Sequence, residues 1–171
     1  IVRRPSGGKA VLHSNGLTYA LIWKYPPKNK KESYLKTTQW LKDGFKKAGV
    51  DLFFGNQPVN VSNSNCFGTS TLADLVDKDN NKIIGSAQYW KRGHLLQHGE
   101  ILMEPSKKLW KKVFNTYPPN IKKGLIEKDE IIFFLKESFL KTWPNLQLSN
   151  YALNKKDKEI IKHLYKNNFE D

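Results

Sequence analysis

The chain has 171 residues, about the size of one ordinary domain, and 39% hydrophobic with 12% aromatic residues give it enough apolar surface for a real core. No stretch approaches the roughly 18 uninterrupted apolar residues of a membrane span, so no membrane association is expected. The net charge of +13, from 29 Lys and Arg against 16 Asp and Glu, favours anionic partners. Nucleic acid is the obvious such partner and an acidic protein domain the less obvious one, but the lysines are scattered without interleaved aromatics, which makes most of that charge solvated surface. The single cysteine, Cys66, excludes an intramolecular disulfide and fits a reducing, cytoplasmic compartment.

Val11 to His13 and Leu17 to Trp23 are rich in β-branched and aromatic residues and flank Ser14-Asn15-Gly16, which predicts a hairpin. From Lys31 to Ala48, Tyr34, Leu41, Phe45 and Ala48 recur at helical spacing among lysines, with Gly49 placed to end an amphipathic helix. Val50 to Phe54 reads as a short strand and Gly55 to Asn65 as a polar surface loop. Leu72 to Val76, Lys82 to Tyr89 and Leu95 to Met103 form an antiparallel meander joined by turn-rich segments. Beyond Pro105, Lys107 to Phe114, Glu127 to Trp143 and Asn154 to Asn168 carry helical periodicity, with Leu148 to Tyr151 as a short extended link. The expected class is α+β, with helices packed on a mixed, mostly antiparallel sheet.

The densest chemical signal is Arg3-Arg4-Pro5-Ser6-Gly7-Gly8-Lys9-Ala10-Val11-Leu12-His13. Glycines in such a segment let a ligand approach the backbone and leave peptide N–H groups as donors. Alone, Gly-Gly is more often a plain turn. A second cluster changes that balance: Asp74-Leu75-Val76, then Lys82-Ile83-Ile84-Gly85-Ser86-Ala87-Gln88, then Leu95-Leu96-Gln97-His98-Gly99-Glu100-Ile101-Leu102.

In order and spacing these segments resemble the successive signatures of the biotin/lipoate A/B protein ligase family: RRxxGGxAVxH, DLV, K(I/V)xGSA and LxHGxIL. The resemblance runs from Ile1 to about Met103 and is weak over the helical tail. It implies a fold like the catalytic domains of class II aminoacyl-tRNA synthetases and biotin ligases, with a tunnel for a medium-length acyl chain. It places Lys82 as a buried cation that polarises an acyl carbonyl. Arg3, Arg4, Ser6, Gly7, Gly8, Lys9, His13, Gly85, Ser86, Ala87, His98 and Gly99 become acyl- or substrate-binding candidates, and Arg3-Arg4, Gly7-Gly8, Lys82 to Ser86 and His98 are expected to converge on one elongated pocket.

Two subclasses remain open. ATP-dependent ligases of this family pass through an acyl-adenylate with Mg2+ and read GGGxVFHD in the first motif, whereas this chain has Lys9 for the third glycine and Ser14 for the acid. Octanoyltransferases take the acyl group from acyl carrier protein through an enzyme thioester and need no cofactor; one branch carries its cysteine just before DLV, where Cys66 stands. A lone cysteine is otherwise most often a small buried hydrophobe. The resemblance therefore makes Cys66 and Lys82 the catalytic candidates. The acceptor would be a lysine on a lipoyl-accepting carrier domain, such as the glycine cleavage H protein or a dehydrogenase E2 domain. A non-catalytic module that binds carrier proteins or nucleic acid is the rival from another class. His94 and His163 carry no motif, and no Cys/His cluster has metal-ligand spacing. Residues 1–171 read as one catalytic domain, with 1–104 bearing the motifs and 105–171 helical, and because the glycine motif begins at residue 3, opening elements of the family are expected to precede Ile1.

Overall fold

The computed structural model describes residues 2–55, 67, 74–121 and 127–168. Five strands, β1 (Leu17–Lys24), β2 (Phe53–Phe54), β3 (Leu75–Val76), β4 (Lys82–Lys91) and β5 (His94–Ile101), form one sheet in the order β1-β5-β4-β3-β2. Every described pairing is antiparallel. Four helices accompany it: α1 (Lys30–Lys47), α2 (Lys107–Phe114), α3 (Lys128–Thr142) and α4 (Lys155–Asn168). The class is α+β, as the sequence indicates.

The helix α1 begins where Asn29 caps it, the side chain accepting from Lys31 N–H at 3.0 Å, and it ends at Gly49, whose φ of +79° suits a residue without Cβ. Lys46 and Lys47 in its last turn complement the helix dipole. Its buried stripe, with Thr37, Trp40, Leu41 and Phe45, packs on the sheet and on Ile131 and Leu135 of α3. A Cβ on Gly44 would lie 2.8 Å from Leu135 Cδ2, so glycine permits this close helix approach. Fully burying each large apolar side chain here contributes about 1.5–3 kcal/mol.

The period of two sorts the sheet into two faces. Leu17, Tyr19, Leu95, Gln97, Ile84 and Ser86 share the face under α1 and α3. On the other face Trp110 of α2, fully buried, joins Phe67 and Leu102, with Val11 and Leu12 packed against them.

The predicted hairpin of Val11 to His13 with Leu17 to Trp23 does not form. Residues 11–13 have no strand structure, and β1 pairs along its whole length with β5, Leu17 opposite Ile101 through Lys24 opposite His94. Local β-propensity was outcompeted by packing: Val11 and Leu12 join the Trp110 cluster, and His13 turns to Glu100. The strand expected at Val50 to Phe54 shrinks to Phe53–Phe54, and residues 148–151 have no regular structure.

Candidate functional site

β3 meets β4 through a bulge: Leu75 lies opposite Ile84 but Val76 opposite Lys82, leaving Ile83 unmatched. Bulges re-aim side chains. Here Lys82 Cε and Nζ come to 3.1 and 3.5 Å from the place a Cβ on Gly85 would occupy. Lys82 is 4% exposed, and its Nζ is 3.0 Å from Oδ2 of the equally buried Asp74. The other Asp74 oxygen accepts from Ser86 N–H at 3.2 Å, so one carboxylate binds both the lysine and the β4 backbone. Phe67 completes the niche, its ring centroid 5.2 Å from Lys82 Nζ and its Cζ 3.1 Å from the Gly85 position. A side chain at 85 would displace the lysine or the ring.

Ser86 faces the helices. Its hydroxyl is 2.7 Å from Tyr19 Oη, which in turn accepts from Gln97 Nε2 at 3.1 Å. Gln97 also donates to Thr37 O at 2.9 Å, and its carbonyl receives Gln88 Nε2 at 2.7 Å. Burial pushes the Tyr19 hydroxyl up to about 12, with the Asp74 charge adding to it. Burial and the Asp74 charge also raise Tyr34. This network fixes the strand that carries Lys82 to Ser86. Sequence reasoning missed Tyr19, Gln97 and Thr37, although Gln97 stands inside the LxHGxIL signature.

The glycine segment lies over the opposite face. Gly7 and Gly8 adopt φ of +64° and +85°, and the chain folds back so that Arg4 Nη2 donates to Lys9 O at 2.7 Å. Arg4 Nη1 donates to Ser6 Oγ at 3.3 Å, and Ser6 Oγ is 2.6 Å from His98 Nε2 on β5. Burial lowers the His98 pKa, and the neighbouring Arg4 and His13 lower it further. His13 Nδ1 contacts buried Glu100 at 2.6 Å. Burial raises Glu100, while the His13 hydrogen bond opposes that rise.

Strand register relates the two clusters. Gly85 is opposite Glu100 and Ala87 opposite His98, so Lys82 at Gly85 and the Ser6–His98 pair at Ala87 address one face two residues apart. Such diagonal neighbours on adjacent strands are about 7–8 Å apart. Ala20 of β1 flanks His98 on its other side, so small residues border the row. Gly99 points the other way, where its missing side chain leaves room for the Tyr19 ring and the Gly85 carbonyl. Arg3 is exposed at the segment's start. Cys66 lies outside the described residues. A cleft of about 920 Å³ lined by Phe45, Val50, Ile83, Met103 and Ile121 takes from the expected pocket segments only Ile83 and none of the catalytic or binding candidates.

A sequence model of the lipoyl protein ligase A/B catalytic domain matches residues 1–137. The chain belongs to this family. Among relatives in the family, an octanoyltransferase LipM from Bacillus subtilis (strain 168) is 30% identical, the match covering 95% of this chain and 69% of that protein. One from Geobacillus kaustophilus (strain HTA426) is 29% identical, covering 99% of this chain and 71% of that protein. Protein Ta0514 of T. acidophilum, assigned as a lipoate protein ligase and solved with bound lipoic acid, superposes with a TM-score of 0.74 at 16% identity. That match covers 97% of this chain and 67% of Ta0514. Lipoate-protein ligase A bound with ATP gives a TM-score of 0.66 at 14% identity, with 88% and 61% covered. The chain thus spans about 61–71% of these relatives and structures. The lipoyl protein ligase A/B family comprises acyltransferases and ligases, and the described helices include none long and apolar enough to cross a membrane.

Proposed function

We propose that this member of the lipoyl protein ligase A/B family transfers an octanoyl group from acyl carrier protein to a lysine of a lipoyl-accepting carrier domain, through a thioester on Cys66. The observation that carries the reading is Phe67, the chain neighbour of Cys66, buried against Lys82 and Gly85. Cys66 immediately precedes in sequence the residue whose ring is seated on the proposed electrostatic group.

The chemistry follows from the charges. A cysteine thiol is mostly protonated near neutrality, so an adjacent ammonium favours the thiolate that attacks the donor thioester. One thioester replaces another, and no nucleotide is consumed. In both half-reactions negative charge develops on the acyl oxygen, and a buried Lys82 held by Asp74 stabilises it without reorganising. Arg4, Ser6, Gly7 and Gly8 of the glycine segment and His98 of β5 would border the acyl carbonyl, with Arg3, Lys9, His13 and Ala87 shaping the surrounding surface and Gly99 acting from the opposite face by seating Tyr19. The excess of basic residues suits acidic carrier partners. Residues 1–171 would belong to one catalytic domain that works in the cytoplasm.

The ATP-dependent ligase is the second reading, supported by the superposition on lipoate-protein ligase A bound with ATP. Against it, Ser14 stands where the ligase pattern has an acid, and its hydroxyl accepts from Ser106 N–H at 3.4 Å. Intact-mass spectrometry after incubation with octanoyl acyl carrier protein tests the proposal. An octanoyl adduct is expected on the wild type and not on Cys66→Ala. Wild-type-like transfer by Cys66→Ala from the same donor would refute the covalent route. Transfer by that variant only from free octanoate with ATP would move the protein to the ligases.

A further inference from the structure

We infer that Ser6 and His98 form the proton-accepting relay for the acceptor lysine, with Ser6 touching the amine and His98 acting through it. The inference rests on the reading that an acyl group is passed to an amine, and it holds for a thioester or an adenylate donor.

Amide formation has a requirement that Lys82 does not meet. The attacking nitrogen must lose a proton, and Lys82 is committed to Asp74 as a cation for the acyl oxygen. Around the face that carries both clusters, the titratable groups among the described residues besides His98 include Arg4 and His13 from the glycine segment, His94 and Glu100 from β5, Lys82, Tyr89 and Lys91 from β4, Asp74 beside Lys82, and Lys24 from β1. Glu100 is already engaged by His13. His98 is the group with a base-forming nitrogen directed at a hydroxyl.

Hydrogen-bond direction supports the assignment. Arg4 Nη1–H can only donate, so it occupies one lone pair of Ser6 Oγ, and with His98 in its Nδ1–H tautomer, the one the relay uses, the serine proton is donated to Nε2, 2.6 Å away. The second lone pair of Ser6 can accept from an amine N–H. Burial, with the neighbouring Arg4 and His13 charges, lowers the His98 pKa and so favours the neutral imidazole, the form a base must have.

The step balances. The lysine nitrogen forms a bond to the acyl carbon while the bond from that carbon to its leaving group breaks. The lysine arrives as an ammonium, so two protons leave it. Before attack one passes to Ser6 Oγ as the serine proton passes to His98 Nε2 and the imidazolium returns it to solvent, and after attack the second goes to the leaving group or to solvent. The leaving thiolate, or AMP, departs with the bonding electron pair.

The test compares two nucleophiles. Using the full chain, enzyme-dependent transfer from octanoyl acyl carrier protein, or from octanoyl-adenylate, is measured to a lipoyl-domain lysine and to hydroxylamine. Hydroxylamine is already unprotonated near neutrality and has little need of a base. His98→Gln keeps a partner for Ser6 but cannot take the proton. It is expected to slow lysine transfer about 100-fold while changing hydroxylamine transfer less than about threefold. Ser6→Ala should behave likewise, and Ser6→Thr should recover much of the lysine rate. Wild-type lysine transfer should show an inflection below pH 6.5, the ordinary histidine value, that His98→Gln lacks. Equal loss with both nucleophiles would make the pair a structural support and overturn the relay, as would an unchanged lysine rate. If the wild type transfers to neither nucleophile from either donor, the acyl-transfer reading itself falls and takes the relay with it.

Discussion

Replacing Asp74 by Asn and Lys82 by Met, singly and together, measures whether the proposed electrostatic centre is a true buried pair. Both side chains are 4% exposed and their charged atoms are 3.0 Å apart. Asp74→Asn removes the carboxylate that faces the ammonium at 3.0 Å, and Lys82→Met removes the cation that faces the carboxylate, while the Ser86 N–H still donates to it. Each single change takes from a buried charge its opposite partner at 3.0 Å, at a cost of about 3–5 kcal/mol. The double variant keeps neither charge: Asn can still accept from Ser86 N–H, and Met fills the lysine's volume. It should cost no more than about 2 kcal/mol, since uncharged groups often replace buried ion pairs at little loss. Urea unfolding at pH 7 should therefore show the double variant more stable than either single one, a coupling of several kcal/mol. For a domain of this size each kcal/mol corresponds to about 2–4 °C in Tm. All three variants should lose acyl transfer. Single costs that add to within about 0.5 kcal/mol in the double variant would refute the pairing, because additivity is the mark of sites that do not interact.

Gly99→Ala should destabilise by about 2 kcal/mol or more, because the added methyl would press on the Gly85 carbonyl and the Tyr19 ring, neither of which can move freely; a thermal melt within about 2 °C of wild type would contradict that packing. Gly49→Ala, at φ +79° with open space around it, should cost only about 1 kcal/mol by backbone strain. Glu100 is raised above its ordinary 4.5 by burial, so its folded form holds a proton that the unfolded chain releases, and stability should fall as pH climbs from 4.5 through the folded value. Glu100→Gln should abolish that fall, and parallel wild-type and variant stability curves across the window would show that the carboxyl is not so perturbed.

The helices were legible because caps and period announce themselves in a local window: Ser106 and Asn115 bracket α2, and its bounds coincide with the sequence reading. The meander was legible for the same reason, its turns at Asp77 to Asn81 and Arg92-Gly93 being compositionally plain. The hairpin was misread since Asn15 and Gly16 look like a turn whether or not the flanks pair, and β1 had a better partner some 80 residues away in sequence. At the candidate site, the motif resemblance brought Lys82 and His98 forward, but no local pattern could reveal that Lys82 shares its carboxylate with the Ser86 backbone. That depends on a bulge, which breaks the alternation by which strand faces are assigned. Ser6 and His98 are 92 positions apart, and only the register of β4 and β5 brings their strand to Lys82.

Asp74 has one more consequence. Beyond Ile84 the outer border of β4 has no strand beside it among the described residues, and an open row of peptide groups is where one molecule can recruit another into an intermolecular sheet. Asp74 occupies the Ser86 N–H on that border, and the Tyr34 side chain engages the Gln88 backbone. Two side chains thus stopper the row against edge-to-edge growth. Loss of Asp74 would expose the sheet to self-association, so its effect on solubility at high concentration could exceed anything the lysine pair alone would indicate.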